Sequence, residues 1–301
     1  MKRTYRVYQI DSFTKERFTG NPAGVVINAD GLSEALMQKI ARELNNSETA
    51  FIFTDCEDCD VHVRFFTPTS EVPICGHATI AAHYARAMEQ NLGSGRVYQK
   101  TGAGILPVDI SLDNGDYRIT MTQGEVSVGE ALPQVYQNRL LHALGIEQKD
   151  VREECPIAIA STGHSKVMVA IKDADVLHNL SPDLSALSKL SDDIRCNGYY
   201  IFTLHPEEKT LVHGRMFAPA IGIAEDPVTG NANGPLGAYL VHYGIVETDG
   251  GEFSFEAVQG EAIGRAGKIQ VQVKIINNQP VEVKISGDAV IVFSTEIEID
   301  C

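Results

Sequence analysis

The sequence predicts an α+β fold of two pseudo-symmetric lobes, in which each lobe is a curved, mostly antiparallel sheet wrapped around a central buried helix. Three observations support this prediction: the same motifs occur twice, each half has one helix without a polar face, and strand patterns flank both helices. A helix that is apolar on every side is normally buried on every side, and a curved sheet can provide that environment.

The internal repeat is the strongest of these observations. An Arg-aromatic-Pro strand precedes a glycine motif and an apolar helix at residues 64–68 and 75–78, and again at residues 215–219 and 225–232. The separation of matched glycines grows slowly, from 143 residues between Gly20 and Gly163 to 154 residues between Gly76 and Gly230. Two copies of one unit with small loop insertions produce such a drift. We therefore expect a site where the halves meet, with one loop from each.

The individual elements follow in similar order in the two halves. Ser33 is placed to cap a helix whose apolar residues recur with period 3.6, and Ser181 is placed to cap its counterpart, with Pro182 at the first helical position. Alternating patterns predict strands at residues 4–10, 24–27, 61–66 and 211–217, and hairpins at residues 108–121 and 269–285.

The domain organisation follows from the repeat. We expect an N-terminal lobe over residues 1–122 and a C-terminal lobe over residues 123–286, with residues 124–129 as the linker. A C-terminal strand within residues 287–301 is expected to join the first lobe. The length of 301 residues and the 44% hydrophobic content are sufficient for two domains with substantial cores.

Charge and composition restrict the partners. The net charge is −15, which disfavours nucleic acid and anionic membrane surfaces as partners. The first residues lack an apolar signal region, and no apolar run could span a bilayer, so we expect a cytoplasmic protein. Cys56 and Cys59 have the spacing of half a zinc knuckle, but an acidic hairpin tip is favoured there, and we expect reduced thiols.

Several of these segments resemble one known family. Residues 46–51 (NSETAF), 66–68 (FTP), 75–79 (CGHAT) and 225–230 (EDPVTG) resemble the phenazine-biosynthesis PhzF-like isomerase family, most closely its YddE-type branch. The resemblance covers essentially the whole chain. It implies the diaminopimelate-epimerase-like fold, with two related lobes around central helices, which agrees with the duplication.

The resemblance also implies site residues. It makes Glu48 the proton-carrying residue and gives His77 and Asp226 supporting catalytic roles. The phenazine enzyme has a Ser where this chain has Asn231, and an Asn can donate a hydrogen bond to a carboxylate but cannot relay a proton as a hydroxyl can. The other expected substrate-binding residues are Gly76, Gly230 and Cys75.

Without the resemblance, these residues allow ordinary interpretations. Glu48 would be a solvated glutamate, His77 a packing or capping histidine and Asp226 a turn residue. Cys75 would be a small buried hydrophobe, and the glycines would serve tight turns. One feature favours chemistry: under the repeat, Glu48 falls opposite Asn197, so only one half carries the carboxylate.

The function expected from these observations is a cofactor-independent isomerase. Glu48 would move a proton on a small carboxylate-bearing metabolite in the interlobe cleft, with the carboxylate held at the two helix N-termini. No motif for a nicotinamide, a flavin, a P-loop nucleotide or a metal is present, so we expect no cofactor. An amino-acid racemase or epimerase on the same fold and a non-catalytic small-acid binding protein stay open as alternatives. A homodimer is compatible with the sequence.

Overall fold

The structure, a computed structural model, describes residues 2–204, 211–248 and 250–300. The chain divides into two compact units, one formed by residues 2–122 and 286–300 and the other by residues Gln123–Ile285. Both units combine strands and helices, as the α+β prediction requires. Cys301, at the end of the expected C-terminal strand, lies outside the described residues.

The first unit is a sheet around one long helix. Its elements are β1 (Lys2–Ser12), β2 (Asn21–Ile27), α1 (Glu34–Leu44), β3 (Thr49–Phe53), β4 (Val61–Phe66), β5 (Glu71–Val72), α2 (Gly76–Gln90), β6 (Gly95–Thr101), β7 (Gly104–Asp113), β8 (Asp116–Thr122) and β18 (Ala289–Asp300). Helix α2 contacts β1, β2, β3, β8 and β18. The C-terminal strand β18 joins this unit because it pairs with the N-terminal strand β1 along nearly its whole length.

The second unit has the same plan with more helices. Its elements are β9 (Val126–Ala131), α3 (Gln134–Leu144), β10 (Ala158–Thr162), β11 (Ser165–Ala170), α4 (Ala174–His178), α5 (Leu184–Ile194), β12 (Tyr199–Leu204), β13 (Leu211–Ala218), β14 (Ile223–Asp226), α6 (Gly230–His242), β15 (Glu252–Gln259), β16 (Gly267–Ile276) and most of β17 (Gln279–Gly287). Helix α6 contacts β9, β10, β11, β15 and β16.

The strand pairing of the two units confirms the duplication. In the first unit, β18–β1 and β1–β2 are antiparallel, β2–β3 is parallel, β3–β4 is antiparallel, β4–β6 is parallel and β6–β7 is antiparallel. The second unit repeats the same order of directions in the pairs β9–β10, β10–β11, β11–β12, β12–β13, β13–β15 and β15–β16. One sheet topology is therefore built twice from two halves of the chain.

The two apolar helices are buried as predicted. In α6 every residue from Ala232 to Val241 is buried, and most of α2 is buried as well. Gly237 allows the close approach of the sheet, because a Cβ there would lie 2.7 Å from Val273 Cγ2. Within the described ranges, no helix is both long and apolar enough to cross a membrane.

The helix caps agree with the sequence in one half and differ in the other. Ser33 is the N-cap of α1, and its side chain accepts a hydrogen bond from the Leu36 amide. The prediction that Ser181 caps the counterpart helix is wrong. Asp183 is the N-cap of α5 and accepts from the Ala186 amide at 2.9 Å. Aspartate caps as well as serine does, and its charge also suits the positive end of the helix dipole.

Two further expectations were wrong. Residues 124–129 are not an irregular linker, since β9 starts at Val126 and pairs with β10. This short strand contains a serine, a glycine and a glutamate, and none of its residues is fully buried, so its composition gave no strand signal. Cys56 and Cys59 are joined by a disulfide rather than reduced. The turn between β3 and β4 brings their Cα atoms to 5.4 Å, within the range that a disulfide spans.

Candidate active site

The first cluster of predicted site residues lies at the start of α2. Cys75 is the N-cap of this helix, so Gly76 and His77 are its first two residues. Glu48 lies in the short connection between α1 and β3, and its backbone carbonyl accepts a hydrogen bond from the Gly24 amide at 3.2 Å. The parallel pairing of β2 with β3 thus fixes the backbone that carries the glutamate.

His77 is the centre of this first cluster. Its Nε2 lies 3.4 Å from Glu48 Oε2 and 3.2 Å from the Ser47 hydroxyl, and its Nδ1 lies 3.4 Å from the Cys75 sulfur. The Ser12 hydroxyl donates to the His77 backbone carbonyl at 2.8 Å, which holds the helix end in place. The imidazole therefore has a carboxylate on one side and a thiol on the other.

The surroundings of this cluster suit proton transfer. The side chains of Glu48 and His77 are only 17% and 8% exposed. A partly buried carboxylate beside an imidazole can exchange a proton with a bound molecule under weak solvent screening. The donor atoms of Glu48, Cys75 and His77 lie within 4.8 Å of one another, so the same three groups could also hold a transition-metal ion.

The second cluster lies at the start of α6. Strand β14 ends at Asp226, and Thr229 is the N-cap of the helix. The Thr229 hydroxyl donates a hydrogen bond to the carboxylate of Asp226, which is 9% exposed. This contact explains why an acidic residue that could simply start a turn is instead held rigidly beside a helix N-terminus.

Gln259, at the end of β15, organises the second cluster and was not predicted. Its side chain is completely buried. The amide group donates to the Asp226 carbonyl at 2.8 Å and to the Thr229 hydroxyl at 3.0 Å, and its oxygen accepts from the Thr229 amide and from Asn233 Nδ2. Nothing in the sequence marks this glutamine, because its partners are more than twenty residues away.

Gly230 and Asn231 are the first two residues of α6, in the positions that Gly76 and His77 occupy in α2. A Cβ at Gly230 would lie 2.3 Å from the terminal Cδ1 of Ile285, so a larger residue there would have to displace that side chain. Asn231 Oδ1 lies 3.4 Å from Gln123 Nε2. The repeat therefore replaces an imidazole by an amide at the equivalent helix position.

Lys166 is a second residue that the sequence analysis missed. It is 7% exposed, and its ammonium group donates to the Ser165 carbonyl at 3.1 Å. Burial lowers the pKa of Lys166, and the nearby Asp226 carboxylate opposes that shift. A lysine directly before the apolar run Val167–Ala170 of β11 was the available signal.

The structure thus brings three predicted residues, Glu48, Cys75 and His77, into direct contact within the first unit. The predicted residues of the second unit, Asp226, Gly230 and Asn231, lie together around the start of α6. Gly76 joins the first group as the first residue of α2. Each half of the duplication therefore presents its polar groups at the equivalent helix end.

A sequence profile described as "Phenazine biosynthesis-like protein" matches residues 10–295. The chain belongs to this phenazine biosynthesis-like family. Relatives within it include an uncharacterized isomerase of Clostridium acetobutylicum, 62% identical over 99% of both chains. The isomerase YddE of Escherichia coli is 50% identical over 98% of this chain and 99% of its own. The resemblance to the YddE-type branch is confirmed, and the chain is an isomerase of this family.

The solved structures agree with this membership. A phenazine biosynthesis protein of the PhzF family from Bacillus anthracis superposes with a TM-score of 0.88, at 33% identity, over 98% of this chain and 99% of the other. A hydroxyproline epimerase from Agrobacterium vitis has a TM-score of 0.63 at 12% identity, covering 99% of this chain and 92% of its own. That second likeness shows a shared fold only, and it confirms the epimerase-like architecture.

Proposed function

We propose that this phenazine biosynthesis-like protein is a cofactor-independent isomerase that moves a proton on a small carboxylate-bearing substrate. The observation that carries the proposal is the contact of the mostly buried Glu48 carboxylate with His77. In this scheme Glu48 takes a proton from a substrate carbon and returns it to another atom of the same molecule. His77 helps to hold the proton in transit, since its Nε2 is within reach of the carboxylate.

The second cluster supplies orientation in this proposal. Asp226 is fixed by Thr229 and Gln259, so it can polarise a substrate group without moving. We propose that both clusters act on one substrate in the interlobe cleft, which the duplication and the family membership support. The helix starts at Gly76 and Gly230, flanked by Cys75 and Asn231, would bind the substrate carboxylate through backbone N–H groups and the helix dipole.

The substrate is expected to be a small acid with an acidic carbon–hydrogen bond. A relative from Pseudomonas fluorescens, 33% identical over 93% of this chain and 95% of its own, is named trans-2,3-dihydro-3-hydroxyanthranilate isomerase. Trans-2,3-dihydro-3-hydroxyanthranilate is therefore the first probe. Asn231 occupies the position where the resemblance puts a serine in the phenazine enzyme, and its amide cannot relay a proton, so we expect a different small acid to be the better substrate.

The test is solvent-deuterium incorporation into trans-2,3-dihydro-3-hydroxyanthranilate and a panel of cyclic and acyclic small acids. Incorporation by the parent protein should fall by about a hundredfold or more in Glu48→Gln, which keeps the shape but cannot accept a proton at neutral pH. Glu43→Gln, an exposed glutamate on α1, is the matched control and should incorporate deuterium like the parent. Undiminished incorporation in Glu48→Gln would exclude Glu48 as the base.

The racemase alternative is favoured by one observation, the contact between the Cys75 thiol and His77. A two-thiol racemase needs a second thiol at the other helix start, and residues 226–232 contain none. Stereo-inversion of an amino or hydroxy acid by the parent, lost in a folded Cys75→Ala variant, would establish the racemase. If no probe exchanges deuterium but small dicarboxylates raise the melting temperature, the protein is a small-acid binder.

A further inference from the structure

A group of three side chains outside both clusters has the composition of a metal site. His178 is the last residue of α4, His213 lies on β13, and Glu261 is in the 3-10 turn Glu261–Ile263 after β15. Glu261 Oε2 is 3.1 Å from His178 Nε2 and 2.7 Å from His213 Nδ1. The three donor atoms all lie within 4.8 Å of one another, so they converge on one point.

Two backbone features place His213 and Glu261 beside each other. The parallel pairing of β13 with β15 sets His213 beside Val258, three residues before Glu261. Gly260 then takes a left-handed conformation with φ of 87°, which turns the chain back toward the triad. A Cβ at Gly260 would come within 2.9 Å of the Pro227 carbonyl, so this turn is closely packed.

His178 is fixed by a buried arginine. Arg215 is 7% exposed and donates to the backbone carbonyls of Leu177, His178 and Leu180 at 3.0, 3.3 and 2.8 Å. Its other nitrogens are paired with the Glu225 carboxylate. These bonds fix the backbone at the end of α4, from which the His178 imidazole reaches Glu261.

We propose that His178, His213 and Glu261 form a Zn²⁺ site. Two imidazole nitrogens and one carboxylate oxygen are a donor set that zinc uses commonly, with water completing a tetrahedron. At zinc bond lengths of about 2.0–2.1 Å, tetrahedral ligands lie about 3.3 Å apart. The present separations of 2.7 and 3.1 Å need only a small opening to accept the ion.

The exposure of the triad leaves room for the water. The side chains of His178, His213 and Glu261 are 37%, 25% and 33% exposed, so the ion can enter from solvent. The site lies apart in sequence from the proton-transfer residues, and it goes beyond the proposed isomerase reaction. Its effect would be to fasten α4, β13 and the turn after β15 together, two residues beyond Gln259.

Metal titration of the full-length protein, first treated with a chelator, tests this site. We expect about one equivalent of Zn²⁺ to bind near neutral pH, with Mg²⁺ failing to compete because it prefers oxygen ligands. Binding should also raise the melting temperature by a few degrees. Co²⁺ bound at the same site should give visible d–d bands without the thiolate-to-metal charge-transfer band that binding to the free thiol of Cys75 would produce.

The variants decide the ligands. His178→Ala and Glu261→Gln are changes at partly exposed positions and should each weaken Zn²⁺ binding by about a hundredfold or more, with unchanged circular dichroism. His142→Ala removes an exposed histidine in the last turn of α3 and should bind Zn²⁺ like the parent. The site is refuted if both variants bind Zn²⁺ as tightly as the parent, or if Co²⁺ bound to the parent shows a thiolate band. It is also refuted if the parent binds no Zn²⁺ at all.

Discussion

Replacing Gln259 by leucine should destabilise the start of α6 more than any other single polar deletion near the second cluster. The change keeps a side chain of similar size but removes four hydrogen bonds, with the Asp226 carbonyl, the Thr229 amide and hydroxyl, and Asn233 Nδ2. Because the site is completely buried, the lost partners are not simply rehydrated.

The magnitude follows from those four bonds. A buried hydrogen bond contributes about 0.5–1.5 kcal/mol net, and an unpaired partner adds a desolvation cost. We expect Gln259→Leu to lower the free energy of unfolding by about 3–4 kcal/mol, and the melting temperature of this 301-residue chain by about 5–6 °C. The isomerase should also lose activity, because Asp226 and Thr229 would no longer be held by the glutamine.

Gln99→Leu is the matched comparison. Gln99 is also completely buried, on the strand β6 that corresponds to β15, but it has one hydrogen bond, with His83 Nε2 at 3.0 Å. Its Nε2 has no hydrogen-bond partner among the described residues, so leucine also removes an unsatisfied group. The expected loss is about 1 kcal/mol or less.

Urea unfolding followed by far-ultraviolet circular dichroism measures both variants, since the chain contains no tryptophan. The reasoning is refuted if Gln259→Leu and Gln99→Leu lose the same stability, or if Gln259→Leu loses less than about 1 kcal/mol. In either case the four bonds would contribute no more to folding than a single one.

Three further predictions concern charges. Arg215→Met should lower the free energy of unfolding by about 3–5 kcal/mol, because it leaves the Glu225 carboxylate unpaired at 11% exposure. Arg64→Met removes the equivalent but more exposed pair with Glu71 and should cost only about 1 kcal/mol. Thermal unfolding of the two variants compares these losses directly. Burial lowers the pKa of Lys166, so stability should rise as the pH increases from that lowered pKa toward 10.5, and Lys166→Met should abolish this rise in alkaline melting curves. The hydrogen bond with Glu261 raises the pKa of His213, while burial and the positive charge of Lys268 act in the other direction. The same hydrogen bond, together with His178, lowers the pKa of Glu261. With chelator present, this contribution should be full between the ordinary pKa values of 4.5 for glutamate and 6.5 for histidine. It should be lost as the pH rises from 6.5 through the raised pKa of His213, or falls from 4.5 through the lowered pKa of Glu261. Melting temperatures of His213→Gln and the parent should therefore converge at both extremes, and a constant difference would contradict the assignment.

The duplication was recognisable from the sequence because it is written in local patterns. Strand β4 was predicted to the residue. The hairpins within residues 108–121 and 269–285 were also predicted, and their turns hold Asn114 and Asn277 in the left-handed backbone that asparagine tolerates. The helices α2 and α6 were predicted to be buried because neither has a polar face. Such signals need no knowledge of what the residues contact.

The errors of sequence reasoning arose where a local signal was ambiguous. Ser181 and Asp183 are both good N-caps, and only the packing of α5 selects the aspartate. The strand β9 contains glycine, serine and glutamate and has no fully buried residue, so its composition resembled a linker. The Cys56–Cys59 spacing is compatible with a disulfide, a reduced pair or half a zinc knuckle, and the turn geometry decides between them.

The sequence by itself determined the two-lobed α+β fold, the family, and the segments that carry Glu48, His77 and Asp226, because these depend on residue types at short spacing. Only the tertiary structure brought Glu48 to His77, placed Gln259 under Asp226 and gathered His178, His213 and Glu261. The physical reason is that these contacts join residues separated by about thirty positions or more, through the strand order of a sheet. Periodicity and spacing describe neighbours along the chain, whereas hydrogen bonding between strands decides which distant side chains share a site.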